Sequence, residues 1–189
     1  MPIFRSRHQA DLLTWLLLHP DQEYTVTDLA ERLDVPLTTL HREAQRLVSA
    51  ELLSGRTVGR TRLLRANPDH RALAALTHLL EVTFGPHTVI EDEFDDLANI
   101  DRVLIYGSWA ARYHGAHGPP PADLDVLVVG TPDRADVYDA ADRAQARLGM
   151  QVDPVIRTPQ QWAAAADSLI QQIQSSPTVT VIDSGKDAA

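Results

Sequence analysis

The sequence predicts a two-domain protein of mixed α and β structure, an α/β (α+β) fold, and three observations lead to this prediction. Its 189 residues are enough for one domain or two small ones. Residues 1–83 contain ten Arg and ten Asp or Glu, whereas residues 84–189 contain seven Arg or Lys and sixteen Asp or Glu. Apolar residues follow helical spacing in most of the first half, while short apolar runs alternate with helical segments in the second half.

The composition excludes several kinds of site. The chain has no cysteine, which excludes disulfides, thiolate zinc sites and cysteine nucleophiles. Its net charge of −9 argues against broad non-specific binding of nucleic acid. The longest apolar patch near the start, residues 15–18, is far too short to span a membrane, and no secretory signal is evident. We therefore expect a cytoplasmic protein with no membrane partner.

Three helices are predicted in order in the first half. The first covers residues 7–18 and is apolar after a polar start. The second is short and has Thr27 as its expected N-cap. Asp34-Val35-Pro36 ends it, and the third helix covers about residues 37–52, since proline is tolerated near a first helical turn. Two helices joined by a tight turn, after a preceding helix, form a helix-turn-helix pattern.

A basic hairpin with Gly59 at its tip is predicted after the third helix, and a recognition helix followed by such a hairpin is typical of a winged helix. Arginine and glutamine read base edges in DNA, and threonine and arginine also contact phosphates. The candidate DNA-binding residues are Thr38, Thr39, His41, Arg42, Gln45, Arg46, Arg60 and Arg62, with Arg56 and Arg65 on the same hairpin. The alternative is that these residues form ordinary solvated faces of a helix and a hairpin.

The stretch TVTDLAERLDVPLTTLHREAQRLVSAELL, with its Gly-Arg hairpin tip, resembles the winged helix-turn-helix of ArsR-type bacterial repressors over about residues 7–66. The resemblance implies operator DNA as a partner, and we expect a homodimer. An amphipathic helix is then predicted over residues 69–84. It is a candidate linker or dimerisation helix, and the alternative is a core helix of whichever domain it packs on.

Strands and helices alternate in the second half, which predicts a small α/β domain. The predicted strands cover residues 103–106, 123–129, 151–156 and 178–182, and the predicted helices include residues 132–148 and 159–174. An acidic run at residues 91–96 is interpreted as a solvated helix face.

Residues 102–130 contain most of the candidate ligand-binding and catalytic residues of the second half. Gly107-Ser108 follows a strand and opens a helix, where a hydroxyl and unpaired N–H groups can receive phosphates. Asp123 and Asp125 lie two residues apart on a strand and so share one face, where paired carboxylates favour a hard cation such as Mg²⁺ or Mn²⁺. Asp153 would add a third carboxylate if its strand, residues 151–156, pairs with the strand that carries Asp123 and Asp125. The alternative is that Asp153 is a turn residue at the end of a strand, before Pro154, with no role in the site.

This order of Gly-Ser, Asp-apolar-Asp-apolar and a later strand Asp resembles the nucleotidyltransferase fold of the DNA polymerase beta superfamily, over about residues 86–183. In size it is similar to the minimal nucleotidyltransferases often found in toxin–antitoxin pairs. The resemblance implies that Gly107 and Ser108 contact a nucleoside triphosphate. It also implies that Asp123, Asp125 and Asp153 form a metal-binding catalytic triad. Arg112, on the next turn of the helix, is a candidate phosphate contact.

The sequence departs from that family between Ser108 and Asp123. Fourteen residues separate them, slightly more than is usual, and the separating segment contains a stiff Gly118-Pro119-Pro120-Pro121 loop that could cover the site. Trp109 stands where many small members carry a basic residue. It could stack on a base, but a core position is the favoured interpretation.

Together the two resemblances imply an antitoxin-like DNA-binding regulator whose Mg²⁺-dependent second domain transfers a nucleotidyl group, AMP from ATP, to a protein or RNA acceptor. The predicted divisions are a winged helix-turn-helix at residues 1–68, a linker or dimerisation helix at 69–85, a nucleotidyltransferase-like domain at 86–183 and a flexible tail at 184–189. A partner toxin or an RNA is the expected acceptor. One alternative is a non-enzymatic repressor whose second domain senses nucleotide or mediates assembly. Another is a toxin that adds nucleotides to tRNA, for which the acidic second half is poorly suited.

Overall fold

The structure is a computed structural model that describes residues 4–184 and divides into two compact units, Met1–Phe84 and Gly85–Ala189. The predicted tail lies outside the described residues from position 185 onward. Within the described part of the chain, no helix combines the length and apolar character needed to cross a lipid bilayer.

The first unit contains four helices and a small antiparallel sheet. The helices are α1 (Arg7–Leu18), α2 (Val26–Arg32), α3 (Leu37–Ser49) and α4 (Leu73–Phe84). The strands are β1 (Tyr24–Thr25), β2 (Leu53–Val58) and β3 (Thr61–Ala66), in the order β1-β3-β2. Strands β2 and β3 form the predicted hairpin, and Gly59 at its tip has a positive φ of 61°, a conformation that glycine adopts without strain.

The helix boundaries of this unit differ from the sequence prediction at two places. Thr25, not Thr27, caps α2, because the Thr25 hydroxyl accepts the Asp28 N–H while the Asp28 carboxylate accepts the Thr25 N–H. The third helix ends at Ser49 rather than near residue 52, because Glu51 has a φ of 60° and turns the chain into β2.

The helix predicted as a linker or dimerisation element is α4, which packs against α1 inside the first unit. Leu80 of α4 is fully buried in the same apolar core as Leu12 and Leu16 of α1 and Leu40 of α3. This packing corresponds to the core-helix alternative for that segment.

The second unit has a four-stranded mixed sheet flanked by helices. Its elements are α5 (Pro86–Phe94), β4 (Ile100–Tyr106), α6 (Gly107–Tyr113), β5 (Asp123–Gly130), α7 (Arg134–Leu148), β6 (Gln151–Arg157), α8 (Pro159–Ala163), α9 (Ser168–Gln174) and β7 (Val179–Asp183). The strand order is β6-β5-β4-β7. Strand β5 runs parallel to β6 and antiparallel to β4, and β4 runs antiparallel to β7. Both neighbours of β5 therefore bring side chains beside its two aspartates.

The single helix predicted over residues 159–174 is two helices. Ala165, between them, has a φ of 46°, which interrupts the helical backbone. Asp167 then caps α9 by accepting the Ile170 N–H, and its other carboxylate oxygen receives the Arg157 guanidinium at 2.9 Å. Asp167 favours the break because an N-cap residue has a non-helical backbone.

The acidic run before β4 is solvated only in part. Glu91 and Asp92 are exposed on α5, but Glu93 receives hydrogen bonds of 2.7 Å from both Arg143 and Arg147 of α7. These arginines hold the pKa of Glu93 below its ordinary value. Interpreting the whole run as a solvated face therefore missed an anchor between α5 and α7.

Candidate functional site

The candidate DNA-binding residues lie on α3 and on the β2–β3 hairpin. Because Leu40, Ala44 and Leu47 turn into the core, the opposite face of α3 is directed toward solvent. Thr38, His41, Arg42 and Gln45 are exposed, whereas Thr39 and Arg46 are half-buried. The face that the sequence predicted is therefore present as a continuous surface of the first unit.

One contact joins the helix to the hairpin. The Arg62 guanidinium donates to the Gln45 side-chain oxygen at 3.1 Å, so these two candidates hold each other in place. Arg60 is exposed beside Val58, a large apolar residue that is itself 50% exposed. An exposed arginine and an exposed apolar side chain at a hairpin tip suit contact with a DNA groove.

Two arginines of this surface are engaged by acids of the first unit. Arg46 donates to Glu43 at 2.6 Å, and Glu43 is buried with only 3% of its surface exposed. Arg56 binds both carboxylate oxygens of Glu23 at 2.5 to 3.0 Å. Within residues 4–184, by contrast, Arg42, Arg60 and Arg65 are exposed and form no ion pair, so their charges are available to phosphates.

Glu43 is a residue that the sequence analysis missed. It lies three residues before Arg46 on α3, where a side chain can meet its i+3 neighbour. Charged residues are rarely buried, which is why Glu43 was not considered as part of the inward face. Helical spacing does give a signal, because Glu43 lies three residues after Leu40 and four before Leu47, on the face of α3 that is buried.

The second candidate site is centred on β5, where the strand pairing brings polar residues together. Asp125 is paired with Tyr106 on β4 and with Asp153 on β6, so the three side chains project from the same face of the sheet. Asp123 lies two residues earlier on the same face and is exposed, whereas Asp125 is half-buried. Burial, followed by the charges of Asp123 and Asp153, raises the pKa of the Asp125 carboxyl.

Tyr106 is a second residue that the sequence analysis missed. Burial and the charges of Asp125 and Asp153 raise the pKa of its phenol to about 12, against the opposing effect of Arg157. The phenol therefore stays protonated at neutral pH and can donate a hydrogen bond beside the carboxylates. In the sequence Tyr106 looks like the last residue of an apolar strand, and only the β4–β5 register reveals its position.

Asp153, the predicted third carboxylate, lies beside Asp125 but already accepts a hydrogen bond from a neighbouring side chain. Asp153 pairs with Asp125 across the parallel strands, and the Gln151 side-chain amide donates to the Asp153 Oδ1 at 2.8 Å. Over the described range, 4–184, no three His, Cys, Asp or Glu side chains are arranged as a metal-binding group. The geometry therefore offers a carboxylate pair with a third acid beside it, and not a compact three-ligand cage.

Gly107 is held against the Asp125 carboxylate. It begins α6 with a φ of 72°, and a Cβ added there would overlap the Asp125 Oδ2. Only glycine lets the start of α6 approach the carboxylate so closely. This contact connects the predicted phosphate turn directly to the predicted metal ligand.

Replacing Gly107 by alanine should therefore displace the Asp125 side chain. We expect a loss of stability of about 1–3 kcal/mol from the positive φ alone, and the Mg²⁺-dependent ATP binding that the sequence predicts should be abolished as well. Urea unfolding and calorimetric titration with ATP measure the two effects. Gly59→Ala is the matched control, because Gly59 has a similar φ of 61° but no atom within 4 Å of an added Cβ. Unchanged ATP affinity in Gly107→Ala would show that the close contact is not needed.

The raised pKa of Asp125 also has a consequence for stability. Because the folded protein holds the proton more tightly than the unfolded chain, ionisation of Asp125 destabilises the fold as pH rises above the ordinary carboxyl range. Asp125→Asn should therefore raise the melting temperature at pH 7 in metal-free buffer, and the gain should disappear below the ordinary pKa of 3.8. Asp139→Asn, at an exposed position of α7, should show no such gain. A gain that is the same at both pH values would contradict this explanation.

The remaining candidates lie on α6. Ser108 is exposed in the first turn, next to Gly107. Arg112, predicted to contact phosphate, donates to the backbone carbonyl of Gly118 and thereby holds the loop between α6 and β5. Trp109 is 2% exposed, which matches the favoured interpretation of a core residue. The structure therefore gives Arg112 a partner in the loop, where the sequence suggested a phosphate contact.

Comparison with known proteins gives little further guidance. No family model matches the chain, and no curated protein matches it. It is similar in part to the crystal structure of the adhesin competence repressor (AdcR) from Streptococcus pyogenes, with 22% identity. That match covers 47% of this chain and 67% of the other chain at a TM-score of 0.35, which is too low to establish a shared fold or function.

Proposed function

We propose that this protein is a DNA-binding transcriptional regulator whose second unit transfers a nucleotidyl group, AMP from ATP, to a protein or RNA acceptor. The observation that carries the proposal is the contact of Gly107 with the Asp125 carboxylate, beside the exposed Asp123. It puts a glycine turn, a helix start and a carboxylate pair in one place, which is the arrangement that a metal-bound triphosphate requires.

The DNA-binding part of the proposal rests on the surface formed by α3 and the hairpin. Arg42 and Arg60 are exposed, and Gln45 and Arg62 are held together by a hydrogen bond. Exposed arginines on a helix and on the following hairpin can contact base edges and phosphates of the same duplex. We propose operator DNA as the partner and a homodimer as the binding species, since paired helix-turn-helix units commonly read two half-sites.

The carboxylate pair suits Mg²⁺ or Mn²⁺. Mg²⁺ usually keeps several waters and binds through one or two carboxylates together with substrate phosphates, so Asp123 and Asp125 are sufficient as protein ligands. The fit is supported by geometry, since Asp123 and Asp125 project from one face of β5 and Asp123 is exposed, so that a cation could reach both carboxylates. When bound, the ion would neutralise charge on the phosphates and on the departing pyrophosphate.

The proposed reaction assigns roles to residues of this chain. The acceptor hydroxyl oxygen forms a bond to the α-phosphorus of ATP, and the bond from that phosphorus to the bridging oxygen breaks to release pyrophosphate. Asp153 takes the hydroxyl proton, for which its Oδ2 is available while Oδ1 accepts from Gln151. The exposed Ser108 hydroxyl and N–H groups at the start of α6 orient the phosphates.

A non-enzymatic regulator is the second candidate. It is favoured by one observation, the engagement of Asp153 by Gln151 without a three-carboxylate group in the described range. In that case the second unit would bind nucleotide as a sensor, or mediate assembly, without transfer.

One set of labelling incubations separates the candidates. The full chain is mixed with Mg²⁺ and each of the four labelled nucleoside triphosphates, in the presence of cell lysate as a source of protein and RNA acceptors. Transfer predicts a labelled macromolecule, which protease or ribonuclease then assigns as a partner protein, such as a toxin, or as an RNA. Binding of Mg²⁺ and ATP without any labelled product would support the non-enzymatic candidate and contradict transfer.

A further inference from the structure

A cleft of about 370 Å³ lies between α6 and the loop that joins it to β5. Its lining includes Ser108, Ala111 and Arg112 of α6, and His117, Pro120 and Ala122 of the loop. The volume falls within the range of about 300–1,000 Å³ that is typical of small-molecule sites. This cleft lies in the segment between Ser108 and Asp123, where the sequence differs from the nucleotidyltransferase pattern that it otherwise resembles.

Two residues of the cleft lining are bonded directly to residues of the carboxylate site. Ser108 follows Gly107, and Ala122 precedes Asp123, whereas Gly107, Asp123 and Asp125 do not themselves line the cleft. A ligand whose phosphates lie at Gly107 and the carboxylate pair would therefore have the cleft lining as its neighbour. The part of a nucleoside triphosphate that lies next to its phosphates is the ribose and base.

The chemistry of the lining fits a nucleoside. Alanine methyl groups and three consecutive proline rings form apolar walls against which a flat heterocycle can pack. The Ser108 hydroxyl and the His117 imidazole add donor and acceptor groups for ribose hydroxyls or base edges. A few polar groups among apolar walls is the usual composition of a site that binds and orients a small molecule.

The loop is held in shape before any ligand binds. Arg112 donates to the Gly118 carbonyl, and the Ala116 N–H donates to the Ala111 carbonyl at 3.0 Å. The three prolines fix their own φ angles, which leaves the loop few alternative conformations. A preformed wall reduces the entropy lost on binding and so increases affinity.

We propose that this cleft binds the base and ribose of the nucleoside triphosphate and supplies the affinity that distinguishes a nucleotide from bare phosphates. The proposal rests on the proposed function, because it places the phosphates at Gly107 and the carboxylate pair. Arg112 is a positioning residue in this site, since it acts through the loop.

Calorimetric titration of the full chain in Mg²⁺ with ATP and with inorganic tripolyphosphate tests the proposal. We expect ATP to bind at least about tenfold more tightly, because the base and ribose are removed from water. Ala116→Trp, at an exposed residue lining the cleft, should reduce ATP affinity to that of tripolyphosphate and leave tripolyphosphate affinity unchanged. Ala146→Trp, at an exposed position of α7, is the matched control and should leave both affinities unchanged.

Each other outcome contradicts a separate claim. Equal affinities for ATP and tripolyphosphate in the unmodified protein would overturn the cleft proposal and leave the phosphate site intact. An Ala116→Trp protein with unchanged ATP affinity would also overturn it, and a raised KM for the acceptor in that protein would assign the cleft to the acceptor instead. If neither ligand binds in Mg²⁺, the proposed nucleotide function fails, and the cleft proposal fails with it.

Discussion

Replacing Asp123 and Asp125 together by asparagine should abolish the proposed nucleotidyl transfer while leaving the fold intact. The two residues share one face of β5, and Asp125 contacts Gly107 at the start of α6. A metal clamp contributes several kcal/mol to the transition state, and each 1.4 kcal/mol corresponds to about a factor of ten, so we expect a loss of at least about a thousandfold. The initial rate of label transfer from ATP measures it.

The control for this pair carries the same change of charge elsewhere in the second unit. Asp139→Asn combined with Asp142→Asn alters two exposed residues of α7 and should leave transfer unchanged. Circular dichroism and melting curves of both double variants verify that they fold. A folded Asp123→Asn/Asp125→Asn protein that still transfers label at the original rate would show that the carboxylate pair is not the active site.

Replacing Arg42 by alanine should weaken the proposed binding to operator DNA by about 5- to 150-fold, the effect of losing an arginine contact worth about 1–3 kcal/mol. Arg42 is exposed on α3 and forms no ion pair within residues 4–184, so the substitution breaks no ion pair of the first unit. Fluorescence anisotropy with a duplex selected from a random library by the unmodified protein provides the measurement. Arg60→Ala, at the exposed hairpin tip, should also reduce the dependence of binding on salt.

Arg71→Ala serves as the matched control, because Arg71 is exposed in the same unit but follows the base of the hairpin, away from its tip. Arg46→Ala is a poorer probe, since it would leave the buried Glu43 carboxylate without its hydrogen-bonded cation and destabilise α3. Equal DNA affinity in the unmodified, Arg42→Ala and Arg60→Ala proteins would exclude this surface as the DNA-binding face. The affinity for nucleotide should be the same in the Arg42→Ala, Arg60→Ala and unmodified proteins.

Local patterns predicted those parts of the structure that local interactions determine. The helix α7 begins after Asp133, which accepts the Ala135 N–H, and ends at Gly149 with a φ of 68°, because capping residues specify both ends. The shared face of Asp123 and Asp125 follows from the two-residue period of a strand. In the same way, the apolar spacing of α3 identified which of its faces is exposed.

Features that depend on distant pairing could not be predicted in this way. Tyr106 joins the carboxylate site only because β4 pairs with β5 in one particular register. The contact of Arg157 with Asp167 likewise joins β6 to the start of α9. Gly107 was predicted as a phosphate contact, but its close approach to Asp125 requires α6 and β5 to be packed together.

The most direct measurement compares two labels on the same nucleotide. The full chain is incubated with Mg²⁺, lysate acceptors and ATP labelled either at the α-phosphate or at the γ-phosphate. Transfer of AMP predicts a labelled macromolecule from α-labelled ATP alone, with the γ label released as pyrophosphate, and no product when Asp123 and Asp125 are both asparagine. A product labelled only from the γ-phosphate, or no labelled product from either nucleotide, would contradict nucleotidyl transfer by this protein.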